Sequence, residues 1–199
     1  MSTNAPAGRM SGGPVLQTEV TDAITNAFFE ELAEVGYGRL SIDAVARRAG
    51  VGKAAIYRRW KSKLDIAVAL TSQVALAAID VPDTGNLRDD IREYLASGRA
   101  VLTHRLAHKI IPDLVAEAAR NPVLTDALLD AVRNPRRAKA ARLVEQAIAR
   151  GELPADTDIG LSLDLLAGPL YWRLMVLRGS PEDSYLDRLA DKIAAAMKA

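Results

Sequence analysis

The chain has 199 residues, and its 26 basic and 25 acidic side chains give a formal net charge of +1 at pH 7. With 49% hydrophobic residues it can bury the core of one or two domains. It contains no cysteine, which excludes disulfides and thiolate metal sites and suits a reducing cytoplasm. We find no apolar run approaching the roughly 18 residues that span a bilayer, so we expect no membrane contact.

Residues 1–14 are small, polar and rich in glycine and proline, without the apolar core of a signal peptide. This composition predicts a disordered arm. Arg9 offers one extra cation for a nucleic acid, although an arm without any contact is the simpler interpretation.

A helix-turn-helix pattern follows between Ser41 and Trp60. Ser41 is a typical N-cap, and apolar residues then recur at helical spacing up to Ala49. Gly50 stands where a helix ends in the left-handed conformation, which glycine adopts without strain. A second helix is predicted from about Lys53 to Trp60. Two helices joined by a glycine turn, the second polar on its outer face, are typical of a recognition helix that enters the major groove.

Positive charge is concentrated around this pattern. Eight cations and one carboxylate, Asp43, lie between Arg39 and Lys63 in an otherwise nearly neutral chain. Ser62 and Asp65 predict a capping box, which would place free amides at the start of the next helix beside these cations. The pattern favours binding of phosphates, and therefore of DNA, over its alternative as a solvated charged face.

The glycine turn also matches parts of two nucleotide-binding motifs. A P-loop requires glycine at the position of Arg47 and serine or threonine at that of Ala54. A dinucleotide fingerprint requires a preceding strand, whereas residues 42–49 have helical spacing. Both motifs are therefore excluded.

The segment 80–86 is the clearest break in the chain, and residues 86–199 again predict helices. Asn86 caps the first of them, one ends at residues 121–122, a short one ends near 134–135, and a long one stops at Gly151. Ser180 and Pro181 are interpreted as the cap and first residue of the last helix. No alternating strand pattern occurs, so the predicted fold is all-α, with a three-helix head over 15–80 and a larger helical domain over 86–199.

The last two helices carry leucine-rich stripes, which predict either packing within the subunit or a dimer interface. Gly168 and Pro169 predict a bend in the first of these helices. We assign the dimer interface to the stripe residues, which are Leu163, Leu166, Leu170, Leu174, Leu177, Leu186, Leu189 and Ile193.

Three residues are assigned to an effector pocket: Tyr94, His108 and Trp172. For Trp172 a place in the core or dimer interface is the favoured alternative, because aromatics at helical spacing usually fill cores. His104 and His108 stand at i and i+4, but no third metal ligand is near in sequence. We therefore predict no metal and no cofactor.

The run from about Thr18 to Leu70 resembles the DNA-binding domain of the TetR family of bacterial transcriptional regulators, also called TetR/AcrR-type. A long first helix ends in the pair Gly36-Tyr37, and IDAVARRAGV and GKAAIYRRWKSK follow. The family's Ile-Tyr-x-x-aromatic-x-x-Lys signature is matched from Ile56 to Lys63, with Trp60 where phenylalanine is commoner. The resemblance implies that Lys53, Ala54 and Arg58 face base edges, that Ser41, Tyr57 and Lys63 contact phosphate, and that Arg59 adds charge where histidine is common.

The resemblance also implies a function. It predicts a homodimer that binds a palindromic operator as a repressor and is released by a small apolar or amphipathic effector, in the cytoplasm and at the nucleoid when bound to DNA. A transcriptional activator and a helical scaffold without ligand response are the alternatives. An enzyme is not predicted, because no G-x-S-x-G motif, no cysteine and only two histidines are present.

Overall fold

The structure is a computed structural model that describes residues 14–77 and 81–199. The predicted arm and Arg9 lie outside the described residues, apart from Pro14. Within the described part of the chain the secondary structure is helical without a β-strand, as predicted. The α-helices are α1 Pro14–Arg39, α2 Ile42–Ala49, α3 Lys53–Tyr57, α4 Lys63–Ala77, α5 Leu87–Thr103, α6 Ala107–Ala118, α7 Pro122–Leu128, α8 Asn134–Ala149, α9 Ile159–Tyr171 and α10 Asp183–Met197.

The first hydrophobic core lies in the amino-terminal head. Phe28 of α1 and Ile56 of α3 are fully buried in it, together with residues of α2 and α4. Ile110, Leu114 and Leu124 of α6 and α7 belong to the same core. The head therefore packs directly on the following domain, although the segment 80–86 separates them in sequence.

A second core is built by α5, α8, α9 and α10. Leu95, Leu143, Leu166 and Leu186 are almost completely buried in it. Glu152 closes one end, because its carboxylate accepts a hydrogen bond of 2.8 Å from the amide of Leu87 at the start of α5. These four helices form a bundle that supports the head through α6.

Several predicted helix ends are confirmed. Gly50 has φ +66° and Gly151 has φ +75°, so both end a helix in the left-handed conformation. The side chain of Asn86 accepts a hydrogen bond of 2.9 Å from the amide of Asp89, and that of Ser62 accepts one of 3.0 Å from the amide of Asp65.

Other predicted ends need correction. The regular part of α3 ends at Tyr57, three residues before the predicted end at Trp60, although the amide of Trp60 still donates to the carbonyl of Ile56. Near residues 134–135 the chain does not break, because a π-helical turn over 129–133 leads directly into α8 and Pro135 stands in its first turn, where no amide donor is needed.

The start of α10 also differs from the prediction. The helix begins at Asp183 with Glu182 in extended conformation as its N-cap, so Ser180 is not the cap and Pro181 is not the first helical residue. Arg99 explains the shift, because its guanidinium donates to the carbonyl of Pro181 at 3.1 Å and to the carboxylate of Asp183 at 2.7 Å. This fork holds the chain extended before the helix starts.

The helix α9 contains Pro169 and continues through a π-helical turn over Trp172–Val176. Proline has no amide donor, so one backbone bond is missing at this point of the helix, and the bend predicted there stays a prediction. The stretch Ile159–Val176 is long and apolar enough to cross a membrane by length and composition alone, so the expectation that no run approaches this length was wrong. One side of it, however, is buried in the bundle core.

Candidate DNA-binding surface and effector cavity

The helix-turn-helix is fixed by its buried side and by its turn. The amides of Gly50 and Val51 donate to the carbonyls of Arg47 and Ala46, which closes the end of α2. Ile56 is fully buried and anchors the inner side of α3 in the head core. The outer side of α3 is therefore held facing away from the core.

The outer side of α3 presents the predicted base-edge residues to solvent. Lys53, Ala54, Tyr57 and Arg58 are all exposed, with Tyr57 at 44%. The side chain of Arg58 makes no hydrogen bond or ion pair with any residue in 14–77 or 81–199, so its guanidinium is available to a ligand. Lys53 forms an ion pair of 2.8 Å with Asp43, and this hydrogen bond raises the pKa of the lysine.

Ser41 occupies the predicted N-cap position of α2 in extended conformation, but its side chain makes no capping hydrogen bond. Its hydroxyl is therefore not used by the helix, and its predicted contact with phosphate stays a prediction. Lys61 and Arg47 are also exposed, and their side chains have no partner among the described residues. The site assignment from sequence omitted both, although they belong to the charge cluster that revealed the motif.

Arg59 and Lys63 have structural partners that the sequence did not reveal. The guanidinium of Arg59 is half-buried against α1, where its Nε donates to Thr21 Oγ1 at 3.1 Å and its Nη1 to the carbonyl of Ala55 at 2.9 Å. Arg59 therefore ties α3 to α1, and its assignment as an added charge for DNA stays a prediction.

The ammonium of Lys63 lies at the end of α1. Its Nζ donates to the carbonyls of Tyr37 and Gly38 at 3.0 and 3.3 Å, and it lies 4.6 Å from the centre of the Tyr37 ring. A lysine carries three donors, so one remains for a phosphate.

A contact between α6 and the end of α1 supports the DNA-binding side of the head. Asp113 of α6 accepts a hydrogen bond of 2.8 Å from the amide of Tyr37. Gly36 has φ +76° and ψ 164°, and a Cβ at this position would lie 2.4 Å from the Asp113 carboxylate. Arg105, just before α6, forms an ion pair with Glu30, and this hydrogen bond lowers the pKa of the glutamate. Sequence spacing gave no signal for these contacts, because the partners are about 75 residues apart.

A cavity of about 350 Å³ lies between α5, α8 and α9. Leu102, Leu166 and Leu170 contribute to its apolar wall. Tyr94, one of the predicted pocket residues, lines it, and burial raises the pKa of its phenol. Arginines of the α8 region stand at the same cavity. Its size lies in the range of about 300–1,000 Å³ that is typical of small-molecule sites.

The other two predicted pocket residues do not line this cavity. His108 lies at a smaller cavity beside Arg178, whose Nη1 donates to His108 Nε2 at 2.6 Å. Trp172 is 56% exposed on the outer side of the bundle, because the π-helical turn directs the core-facing positions to Leu174 and Met175 instead. Within the described ranges no group of three or more His, Cys, Asp or Glu is placed to hold a metal.

Most residues of the predicted dimer interface are buried in their own subunit. Six of the eight are at most 7% exposed, Leu189 is partly buried against the same core, and only Leu177 is largely exposed, at 53%. The leucine stripes thus mark the core side of α9 and α10. The six buried residues are Leu163, Leu166, Leu170, Leu174, Leu186 and Ile193.

Comparison with known proteins gives one consistent result. Residues 24–70 match the family described as bacterial regulatory proteins, tetR family, and residues 81–193 match the tetracyclin repressor-like C-terminal domain. The chain is 32% identical over 164 residues to the HTH-type transcriptional regulator YdeS of Bacillus subtilis, with 82% of each chain covered. It is 31% identical over 172 residues to the DNA-binding transcriptional repressor TetR of Mycobacteroides abscessus, covering 86% of this chain and 90% of that one. The crystal structure of the TetR family regulator SCO0332 is similar, with a TM-score of 0.70, 28% identity, and coverage of 89% of this chain and 97% of that chain.

Proposed function

This chain belongs to the TetR family of bacterial regulatory proteins, and we propose that it is a repressor that binds a palindromic operator as a homodimer and leaves it when a small molecule binds. Proteins of this family are DNA-binding transcription regulators and not enzymes, and they bind DNA as dimers and respond to small ligands. The proposed site of action is the cytoplasm, at the nucleoid while DNA is bound.

The exposure of the outer side of α3 is the observation that supports a DNA-binding role for particular residues. Arg58 is exposed and unpaired within the described chain, and Tyr57 stands beside it with its ring exposed. An arginine in the major groove favours guanine through two hydrogen bonds to O6 and N7. The exposed ion pair of Lys53 with Asp43 is of a kind that contributes only about 0–1 kcal/mol, so DNA can displace the carboxylate at small cost.

The dimer contact that we propose uses the outer side of α9 and of the π-helical turn that extends it, rather than the buried leucines. Leu161, Trp172, Val176 and Leu177 are each about half exposed or more, and the first three lie on one side of α9 and its extension. An apolar side of this kind is costly in water and is covered in a dimer. Two recognition helices about 34–36 Å apart, or a multiple of one DNA turn, would then meet two half-sites of a palindrome.

Release by an effector requires that the cavity and the head change together. The cavity is lined by α5, and the short connection over 104–106 leads from α5 to α6, which carries Asp113 under the head. A ligand that binds better when the two heads are wrongly spaced must weaken operator binding by the same coupling free energy. The ion pair of Arg105 with Glu30 gives α6 a second connection to α1.

The test is a gel-shift titration of the purified protein with the DNA upstream of its own gene. We expect Arg58→Ala to weaken binding by about 1–3 kcal/mol, roughly 5-fold to 150-fold, and Tyr57→Phe to weaken it less. Arg142→Ala is the matched control, because Arg142 is an exposed arginine that lies on α8 and not on α3. Equal affinities of the Arg58→Ala and control variants at physiological salt would contradict the assignment. Higher transcription of the downstream gene after deletion indicates a repressor, and lower transcription an activator.

A further inference from the structure

The charged side chains that line the cavity between α5, α8 and α9 are all cationic. Arg133, Arg136 and Arg137 line it, and among the described residues that do so there is no aspartate or glutamate. The rest of the lining consists of apolar, small and tyrosine side chains. The cavity thus combines an apolar body with one positively charged end, near the beginning of α8.

The three arginines differ in whether they already have a partner. Arg137 donates to Asp164 of α9 at 2.6 Å and to the carbonyl of Gly160 at 3.2 Å, so its charge is compensated and ties α8 to α9. The side chains of Arg133 and Arg136 make no hydrogen bond or ion pair with any residue of the described chain. Arg136 is half-buried and close enough to Tyr94 to oppose the effect of burial on the pKa of that phenol. Two uncompensated guanidinium groups therefore stand at an apolar cavity.

From this arrangement we propose that the effector is an organic anion, with an apolar body held by α5 and α9 and a carboxylate or phosphate head bound by Arg136 and Arg133. The inference rests on the proposed effector role of the cavity and specifies the chemistry of its ligand. A guanidinium presents a planar fork of donors that matches both anionic heads. A neutral ligand could accept a hydrogen bond from the two guanidinium groups but would not compensate their charge, and a cationic ligand would be repelled. The same unpaired charges that attract an anion thus select against the other two classes.

The experiment compares four probes with the same tail, which are octanoate, octyl phosphate, octanol and octylammonium. Their dissociation constants for the full chain are measured by titration calorimetry at fixed ionic strength. We expect at least one of the two anions to bind about tenfold or more tightly than octanol, and octylammonium to bind most weakly. The two anions also distinguish a carboxylate ligand from a phosphate ligand.

Variants then assign the preference to the arginines. Arg136→Gln should reduce the affinity for the preferred anion about tenfold and leave that for octanol nearly unchanged, and adding Arg133→Gln should abolish the preference. Arg142→Gln removes an exposed arginine of the same helix outside the cavity and should change nothing. The inference is overturned if octanol binds as tightly as both anions, if neither anion binds at millimolar concentration, or if the preference survives in the double variant.

A gel shift with the same probes separates this inference from the proposed function. If octanoate binds through the arginines but leaves the affinity for DNA unchanged, the proposed release fails and the inference about the ligand stands. If octanol releases DNA as well as octanoate does, release stands and the anionic class is wrong.

Discussion

We expect Gly36→Ala to destabilise the protein strongly, because two independent features of the structure require glycine there. The conformation φ +76°, ψ 164° lies in a region that other residues rarely adopt, at a cost of about 1–3 kcal/mol. The new Cβ would also lie 2.4 Å from the Asp113 carboxylate, which cannot retreat without giving up its hydrogen bond to the amide of Tyr37. Loss of that half-buried, charged hydrogen bond costs about 1.5–3 kcal/mol.

Alanine also lowers the conformational entropy of the unfolded chain, which offsets about 0.4–1 kcal/mol of this loss of stability. The net loss is therefore about 2–5 kcal/mol, which for a chain of this size corresponds to a decrease of Tm by roughly 4–20 °C. The measurement is thermal and urea unfolding followed by circular dichroism, at equal protein concentration because the proposed dimer would gain stability as the concentration rises.

Gly38→Ala is the matched control two residues away. A Cβ at Gly38 would meet only Glu117, at an ordinary 3.7 Å, so this variant should be neutral or slightly more stable. In an Asp113→Ala background the steric part of the Gly36→Ala effect should vanish and only the conformational part of about 1–3 kcal/mol remain. If Gly36→Ala unfolds at the same urea concentration as Gly38→Ala, or if its cost is unchanged in that background, the explanation is refuted.

Three further outcomes are expected. Arg59→Ala should lower the free energy of unfolding, measured in urea, by about 1 kcal/mol, because the variant loses the hydrogen bond to Thr21 of α1. Unchanged stability of the variant would show that this hydrogen bond does not stabilise the fold. Burial raises the pKa of Glu152, but the bonds it accepts from a backbone amide and an arginine lower it overall, below the 4.5 of a free glutamate. The ionised Glu152 therefore stabilises the folded protein fully above pH 4.5, and this contribution is lost as the pH falls through its lower folded-state pKa. Between roughly pH 5 and pH 3 the free energy of unfolding of Glu152→Gln should therefore decrease less than that of the unsubstituted protein. An equal decrease in both proteins would contradict this. Trp172→Glu should turn the proposed dimer into monomers in sedimentation experiments, whereas Val123→Glu, which changes another exposed apolar residue, should not. Dimers of both variants would show that the contact lies elsewhere.

Local signals in the sequence predicted the helices and the DNA-binding motif well. The positive φ of Gly50, the cap at Asn86 and the buried side of α3 depend on residues within one or two turns of each other, and spacing reveals such relations. The start of α10 was wrong for the opposite reason. Arg99, more than 80 residues away in sequence, holds Pro181 in extended chain and overrides the local preference of proline for a first helical turn.

From the sequence, the residues of the site could be predicted only where helical spacing determines which side chains are exposed. Spacing placed Tyr57 and Arg58 on the outer side of α3, but it did not reveal that Arg59 binds α1. For the dimer interface the pattern was ambiguous in principle. A stripe of leucines such as that of Leu166 and Leu170 indicates burial, and whether the covering surface belongs to the same chain or to a second one is decided by packing between distant helices.

The position of α6 gives a physical reason why the proposed ligand in the bundle would affect a surface in the head. Ile110 and Leu114 of this helix are buried in the core of the head, while Asp113 binds the end of α1. The head therefore cannot turn relative to the bundle without moving α6 or breaking these contacts. Since α6 is joined to α5 by only three residues and α5 lines the cavity, a ligand that displaces the end of α5 changes the position of α6 as well. The packed core admits few intermediate arrangements, so we expect such a change to shift a population between two head positions rather than to bend the protein gradually.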